Sequence, residues 1–172
     1  MLAELFIALF KAALPVGIAA YLLVWWALRR EYLGEVQTLK DVEREVKRLA
    51  KDKESKKNGD PVHRKWLALG GGFYGVVALL TLVHIELNEI LDFFAGFEGL
   101  ANLGQYISVG ALVGLLIETL MNTFWSLAWP VYWLSDVRTD YVWLWFAAAY
   151  GGYWVGSEIA MRRFRKRRGQ TG

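Results

Sequence analysis

The chain has 172 residues, a net charge of +3, a hydrophobic fraction of 55% and no cysteine. The absence of cysteine excludes disulfides, thiolate catalysis and Cys-ligated zinc or iron–sulfur centres. Much of the apolar composition lies in runs of about 20 residues, the length that crosses a bilayer. A soluble domain of this size has too little interior to hide such runs, so we predict an integral protein of a plasma or bacterial inner membrane.

We predict an all-α fold, a polytopic membrane helix bundle with four hydrophobic segments and a cytoplasmic amphipathic helix. The expected order is a first transmembrane segment at 1–28, an amphipathic helix with a polar linker at 29–60, a membrane bundle at 61–161 and a basic cytoplasmic tail at 162–172. The hydrophobic segments of the bundle are expected at about 66–87, 106–134 and 141–161.

The first segment runs from about Leu5 to Leu28, where Trp25–Trp26 precede Arg29–Arg30. Aromatic residues followed by basic residues are typical of the boundary between a membrane helix and the cytoplasm. Pro15 can kink the segment, because proline lacks the amide hydrogen of a regular helix. We interpret the segment as an uncleaved span, since a basic pair stands where a signal cleavage site would lie.

The region after the first segment has the periodicity of a surface helix. Apolar residues recur at three- and four-residue steps across 31–51, with charged residues between them. This pattern predicts an amphipathic helix that continues out of the membrane and lies on the membrane surface or on a partner. Residues 52–60 form a polar linker. Asp60–Pro61 predicts an N-cap followed by proline at the first helical position, so the next helix begins at Pro61.

The charge pattern bears on topology. Residues 29–65 carry twelve Lys and Arg against eight acids, whereas 86–140 carries seven acids and one base. Because basic loops stay on the cytoplasmic side, loop 29–65 is expected there. If the basic tail is also cytoplasmic, the chain crosses an even number of times after that loop, and 106–134 is a re-entrant hairpin broken near Glu118–Thr123. The alternative is one tilted span that ends near Trp129, with the tail on the outer side.

The basic tail has six positive charges in seven residues. Such a cluster can attract nucleic acid, but beside hydrophobic segments it favours contact with anionic lipid headgroups or an acidic partner. We therefore expect a bilayer with anionic lipids, and not nucleic acid, as its partner. The residues are Arg162, Arg163, Arg165, Lys166, Arg167 and Arg168.

Glycine recurs at four-residue spacing in three of the hydrophobic segments. Two helices can approach closely where glycine removes the side chain, so these pairs predict tight helix packing, either within the chain or between copies. The pairs are Gly71 with Gly75, Gly110 with Gly114, and Gly152 with Gly156.

Glu118 lies in the middle of the third segment, with Asn122 one turn later. An ionisable residue inside a membrane segment is costly and marks a functional hypothesis. It could conduct protons, bind a cation or line a polar cavity. The structural alternative is a hydrogen-bonded side chain that holds helices together.

His84, Asn88 and Asp92 share one face near the end of the second segment. A histidine beside carboxylates can relay protons or bind a cation, but a helix that emerges into water has the same pattern. Trp125, Trp129 and Trp133 form a stripe that suits a lipid or pigment, or an interfacial aromatic belt. We predict no resident metal or cofactor.

Three functions remain open. The first is an accessory or scaffolding subunit of a membrane complex, without chemistry of its own and bound to other membrane subunits. The second is a homo-oligomeric ion or proton channel, a holin-like pore included, that uses Glu118. The third is a membrane enzyme or cofactor carrier that uses His84 and the tryptophan-rich face.

Overall fold

The structure, a computed structural model, describes residues 2–34, 36–52, 60–95, 109–136 and 139–168. These residues form helices joined by turns, and they contain no strand. The predicted polar linker at 53–59, the residues 96–108 before and within the third segment, and the end of the tail at 169–172 lie outside the described residues. The helices are α1 Leu2–Ala8, a π-helical turn Leu9–Ala13, α2 Leu14–Arg29, α3 Leu39–Lys51, α4 Pro61–Ala68, α5 Gly72–Ala95, α6 Val109–Leu127, α7 Trp129–Asp136 and α8 Val142–Arg168.

The chain divides into two compact units. The first comprises Met1–Val77 and Val137–Gly172, and the second comprises Ala78–Asp136. The boundary falls inside α5, so each unit contains part of that helix.

In the first unit, α1, the π turn and α2 form one nearly continuous rod. The wide turn at Leu9–Ala13 directly precedes Pro15. Proline cannot donate an amide hydrogen bond, and its ring crowds the carbonyl four residues earlier. A π turn widens the helix locally, so the rod can continue past the proline.

α8 packs along this rod, and the two helices run in the same direction. Gly152 lies against Ala13 and Gly156 lies against Gly17. At one end the Thr139 hydroxyl donates to the Glu4 carboxylate (2.8 Å). The two basic ends, after α2 and at the end of α8, therefore lie at the same end of the helix pair.

The amphipathic helix differs from the sequence prediction. The chain leaves α2 through Arg30 and Glu31, whose φ is +59°, and α3 begins only at Leu39, where Thr38 and Asp41 form a capping box. Its apolar residues Val42 and Val46 are fully buried within the first unit. The apolar face of α3 is thus covered by its own chain, and this helix is neither a continuation of α2 nor a free face for a membrane or partner.

The second segment is also interrupted where the sequence predicts a continuous helix. α4 ends in a Schellman motif, in which the Gly70 amide donates to the Leu67 carbonyl (3.2 Å) and the Gly71 amide donates to the Trp66 carbonyl (3.0 Å). Gly70 and Gly71 have φ of +100° and +61°, a conformation that glycine adopts without strain. The apolar helix α5 therefore starts at Gly72 and not at Trp66.

The second unit contains the rest of α5 with α6 and α7. α6 is continuous through Glu118 and Thr123, so a hairpin broken at those residues is wrong. The interruption lies at Ala128, whose carbonyl accepts hydrogen bonds from both the Val131 and the Tyr132 amides. Pro130 explains this position, because it has no amide hydrogen for the carbonyl of Ser126.

Two helical runs, Leu2–Arg29 and Gly72–Asp92, are long and apolar enough to span a membrane. Their outer surfaces carry large exposed apolar side chains, among them Phe10 (68% exposed) and Leu91 (64% exposed). α8 has a suitable length of 27 residues but is less apolar.

Candidate functional site

Asn122 is the polar side chain that connects α5 and α6. It is buried, and its amide donates to both carboxylate oxygens of Glu89, at 2.9 and 2.8 Å. A charged acceptor makes these bonds stronger than those between neutral groups. Of the polar residues that the sequence singles out in the third segment, Asn122 acts as interhelical glue.

Glu118, one turn earlier, is placed differently. It is exposed, and it has no hydrogen bond or ion pair among the described residues. The apolar side chains that flank it on the same face are exposed as well, Leu115 (57%) and Met121 (48%). Gly114, one turn before Glu118, faces open space, because a β-carbon there would meet no atom within 4 Å. An acidic residue thus lies on an exposed apolar part of α6.

His84 and Glu118 do not form one site. Asn122 bonds to Glu89, and Trp133 bonds to Thr81, so α5 and the α6–α7 run are antiparallel. Glu118 consequently lies level with the residues just after Asp92, roughly 14–18 Å from His84 along the helix axis. Asp92 is exposed near the end of α5.

His84 instead lies beside the aromatic residues of α7. Its ring centroid is 5.1 Å from that of Trp133 and 6.4 Å from that of Tyr132. Its Nε2 is 3.3 Å from the amide nitrogen of Asn88. Trp133 donates through Nε1 to the Thr81 hydroxyl (2.8 Å), and Thr81 is fully buried. The third functional hypothesis joined His84 with the tryptophan-rich face, and the structure places His84 beside one member of that stripe, Trp133.

The tryptophan stripe has no uniform environment. Trp129 is buried, Trp133 is half-buried and Trp125 is 39% exposed. Among the described residues, no three His, Asp or Glu side chains come close enough to hold a metal ion. The His84 cluster is therefore one of hydrogen bonds and ring contacts.

The three glycine pairs have three different surroundings. Gly152 and Gly156 lie so close to the first rod that a β-carbon on either would fall 2.1 Å from the carbonyl oxygen of Ala13 or Gly17. Gly71 is a turn residue and Gly75 faces the Trp66 carbonyl, so they do not form one helical stripe. Gly110 is exposed, and Gly114 is half-buried but has open space where a β-carbon would lie.

The described tail arginines are not equivalent. Arg162 donates to the Glu158 carboxylate (2.8 Å), and Arg165 lies 3.9 Å from the same carboxylate. Arg168 lies 3.7 Å from Glu31, beyond the end of α2. Arg163 instead donates to the Tyr21 hydroxyl (3.1 Å). Lys166 and Arg167 are exposed.

A polar cluster at the same end of the first unit is centred on Asp60. Its carboxylate accepts the Val62 and His63 amides (both 3.0 Å) as an N-cap and also accepts Trp26 Nε1 (3.1 Å). The Asp60 amide donates to the Tyr32 hydroxyl (3.2 Å). The cluster attaches the start of α4 to the end of α2. The N-cap was predictable from Asp60–Pro61, but Tyr32 and Trp26 were not, since neither is adjacent in sequence.

The surroundings of Asp60 and His63 lower both of their pKa values. Burial by itself would raise the pKa of Asp60, but hydrogen bonds from the His63 amide, Tyr32, Trp26 and the Val62 amide outweigh it. Burial lowers the pKa of His63 below 6.5, against the attraction of the Asp60 charge. The buried His63 ring stacks on Tyr32 at 4.3 Å between centroids, as a neutral imidazole can.

Three features are therefore candidates for function: the exposed Glu118 on α6, the contact between His84 and Trp133, and the Asp60 cluster near the basic end of the first unit. Comparisons with protein-family models, with characterised proteins and with solved structures find no match to this chain.

Proposed function

We propose that this chain is a multi-pass membrane protein that acts as an accessory or scaffolding subunit, with the Glu118 face of α6 docked on another membrane subunit. The observation that carries the proposal is Glu118 itself, which is exposed and unpaired among the described residues. A charged side chain near the centre of a membrane helix costs about 2.5–3.5 kcal/mol when nothing compensates it. A partner helix that donates a hydrogen bond or carries a cation would remove this cost.

The surroundings of Glu118 support a helical partner. Gly114 leaves room one turn away, and a glycine allows a second helix to approach closely. The apolar side chains beside it, such as Met121 (48% exposed), would pack on that helix. In the first unit, Gly152 and Gly156 already lie against helix residues of the same chain. The open glycine of α6 is therefore the better surface for a partner helix.

The topology that fits this proposal has both basic ends on the cytoplasmic side. They lie at one end of the parallel helix pair of the first unit, as the Arg168–Glu31 approach indicates. In this topology α8 would cross the membrane once, in the same direction as α2. Single cysteines in this cysteine-free chain test the arrangement: we expect Gln37→Cys and Gln170→Cys to be labelled from one side and Asp140→Cys from the other.

The decisive experiment is extraction from native membranes in a mild detergent after photo-crosslinking. A photoreactive amino acid at Met121 is on the Glu118 side of α6, and the matched control at Leu120, which is also exposed, points to the other side of the helix. We expect a crosslink to one protein in fixed ratio from Met121 but not from Leu120, and its loss in Glu118→Leu. A chain that is recovered alone, with no crosslink from either site, would refute the subunit proposal.

A homo-oligomeric channel is the second candidate, favoured by the same exposed carboxylate. If the crosslinked partner is a second copy, Glu118 would line a pore between copies. Conductance of the reconstituted protein should then fall in Glu118→Gln and stay unchanged in Glu86→Gln, an exposed acid on α5. Equal currents from wild type and Glu118→Gln would remove Glu118 from any conduction path.

A further inference from the structure

The first unit has an open groove of about 900 Å³ between the α1–α2 rod and α8. It extends from Leu5 and Leu144 at one end to Tyr21 and Arg163 at the other. Small residues form much of its floor, and Arg163 is the only charged side chain among the described residues that line it. Among the described residues, the lining is thus long and apolar, with one cationic side chain at its end.

Arg163 has a neutral hydrogen-bond partner and no carboxylate partner in the described part of the chain. Arg162 and Arg165 share the Glu158 carboxylate, but Arg163 has no ion pair among the described residues. Its partner is Tyr21, whose hydroxyl accepts a hydrogen bond at 3.1 Å and whose ring centroid is 5.5 Å from the guanidinium carbon. A guanidinium presents several donors in a planar fork, so it can hold a neutral hydroxyl and an anion together.

The length of the groove suits a lipid that is anchored at Arg163. Gly151, twelve residues earlier on α8, is roughly 18 Å away along the helix axis. One leaflet with its headgroups is about 20–22 Å deep. An acyl chain that starts near Arg163 would therefore reach Gly151, where a β-carbon would meet no protein atom within 4 Å.

We propose that this groove binds an anionic phospholipid, with an acyl chain along the apolar floor and the phosphate on the Arg163 guanidinium and the Tyr21 hydroxyl. Phosphate suits this end because its oxygens accept paired hydrogen bonds from arginine. The neighbouring basic residues of α8 add attraction for a headgroup with net negative charge. The proposal rests on the membrane location in the proposed function, but it requires no protein partner.

The test is native mass spectrometry of the purified full-length chain in detergent with phosphatidylglycerol and phosphatidylcholine of identical acyl chains. We expect preferential retention of phosphatidylglycerol. Arg163→Gln should reduce that retention roughly fivefold, and Lys166→Gln, which removes an equal charge from the same helix outside the groove, should reduce it less. Gly151→Leu, which adds an apolar side chain to the groove lining at a position where a β-carbon meets no neighbouring atom, should reduce retention of both lipids.

Each contrary outcome has a distinct meaning. Equal retention of the two lipids, equal effects of Arg163→Gln and Lys166→Gln, or no effect of Gly151→Leu would overturn the lipid site and leave the subunit proposal standing. If Gly151→Leu instead halves the mass of the detergent-solubilised protein, a second copy and not a lipid occupies the groove. A chain that stays in solution without detergent would overturn the membrane location on which both proposals rest.

Discussion

The Gly152–Gly156 pair and the Gly110–Gly114 pair have the same spacing in sequence but opposite surroundings. In the first unit, a β-carbon on Gly152 or Gly156 would overlap a backbone carbonyl of the neighbouring rod. In the second unit, Gly114 faces open space beside Glu118, which has no hydrogen bond or ion pair within the described part of the chain. The comparison teaches that a glycine motif indicates where a backbone can approach, but not whether the approaching backbone belongs to the same chain.

The largest expected effect comes from filling the closed pair. Gly152→Leu would force α8 away from Ala13, and overpacking against backbone that cannot move should lower stability by about 3 kcal/mol or more. Thermal unfolding in detergent, followed by circular dichroism, measures this loss. The matched controls are Gly151→Leu, on the same helix, and Gly114→Leu in the open pair, and both should unfold within a few degrees of wild type. Similar losses in all three variants would mean that the tight contact at Gly152 is not what holds these helices together.

A second comparison separates backbone strain from packing at the turn before α5. Gly71 and Gly72 both have positive φ, but only at Gly71 would a β-carbon collide with a neighbour, the Val46 Cγ1 atom at 2.1 Å. Alanine at either position should cost about 1–2 kcal/mol from the left-handed conformation. Gly71→Ala should cost roughly 1 kcal/mol more, from overpacking. Unfolding midpoints of the two variants measure the difference, and Val46→Ala should recover part of it if the collision is the cause.

The sequence predicts the elements with regular periodicity better than the points where they stop. The first rod, the amphipathic character of α3 and the N-cap at Asp60 all follow from local patterns. The break at Gly70–Gly71 was missed because three glycines within an apolar run also fit a packed membrane helix. The bend in the third segment was expected at the polar residues Glu118–Thr123, but it depends on the missing amide of Pro130. Thr119 and Thr123 bond back to carbonyls of their own helix and leave it intact.

The candidate sites were predictable only as residue types. Asn122 and Glu118 look alike in sequence, as polar residues one turn apart, yet one is buried against Glu89 and the other is exposed. The two residues share one helix face, so the difference depends on which turn of that face the partner helix covers, and a single helix does not encode it. The pairing of Arg163 with Tyr21 joins residues 142 positions apart, which no local pattern could indicate.

Mutations in the Asp60 cluster should lower the folding stability moderately, and the cluster should make that stability depend on pH. Asp60→Ala removes an N-cap and should lower stability by about 1 kcal/mol. The folded-state pKa values of Asp60 and His63 both lie below their unfolded values, so the unfolded chain binds more protons and stability falls with falling pH. The loss begins below about 6.5 through His63 and continues below about 3.8 through Asp60.

Denaturation midpoints measured across pH 3–8 would test these two steps. His63→Gln should flatten the step below 6.5 and keep the one below 3.8, whereas Asp60→Asn should do the reverse. Asp41→Asn is the control, because this carboxylate also has a lowered pKa but caps the separate helix α3. A wild-type profile that rises as the pH falls from 7 to 5 would contradict the burial of a neutral His63.

The smallest expected effect concerns the polar contact between Asn122 and Glu89 in the second unit. Asn122→Leu removes both hydrogen bonds to Glu89 and should cost only about 0.6 kcal/mol, the average for hydrogen bonds between membrane helices. Glu118→Leu removes no bond among the described residues, so the isolated chain should keep or slightly gain stability. The order of these two effects reverses when retention of a partner, and not stability, is measured. If Glu118 faces another subunit, Glu118→Leu should release that subunit while Asn122→Leu retains it, because the interhelical bond inside the chain and the contact outside it use different residues of the same helix. Loss of the partner in Asn122→Leu alone would place the docking surface at the turn of α6 that contains Asn122 and not at the turn that contains Glu118.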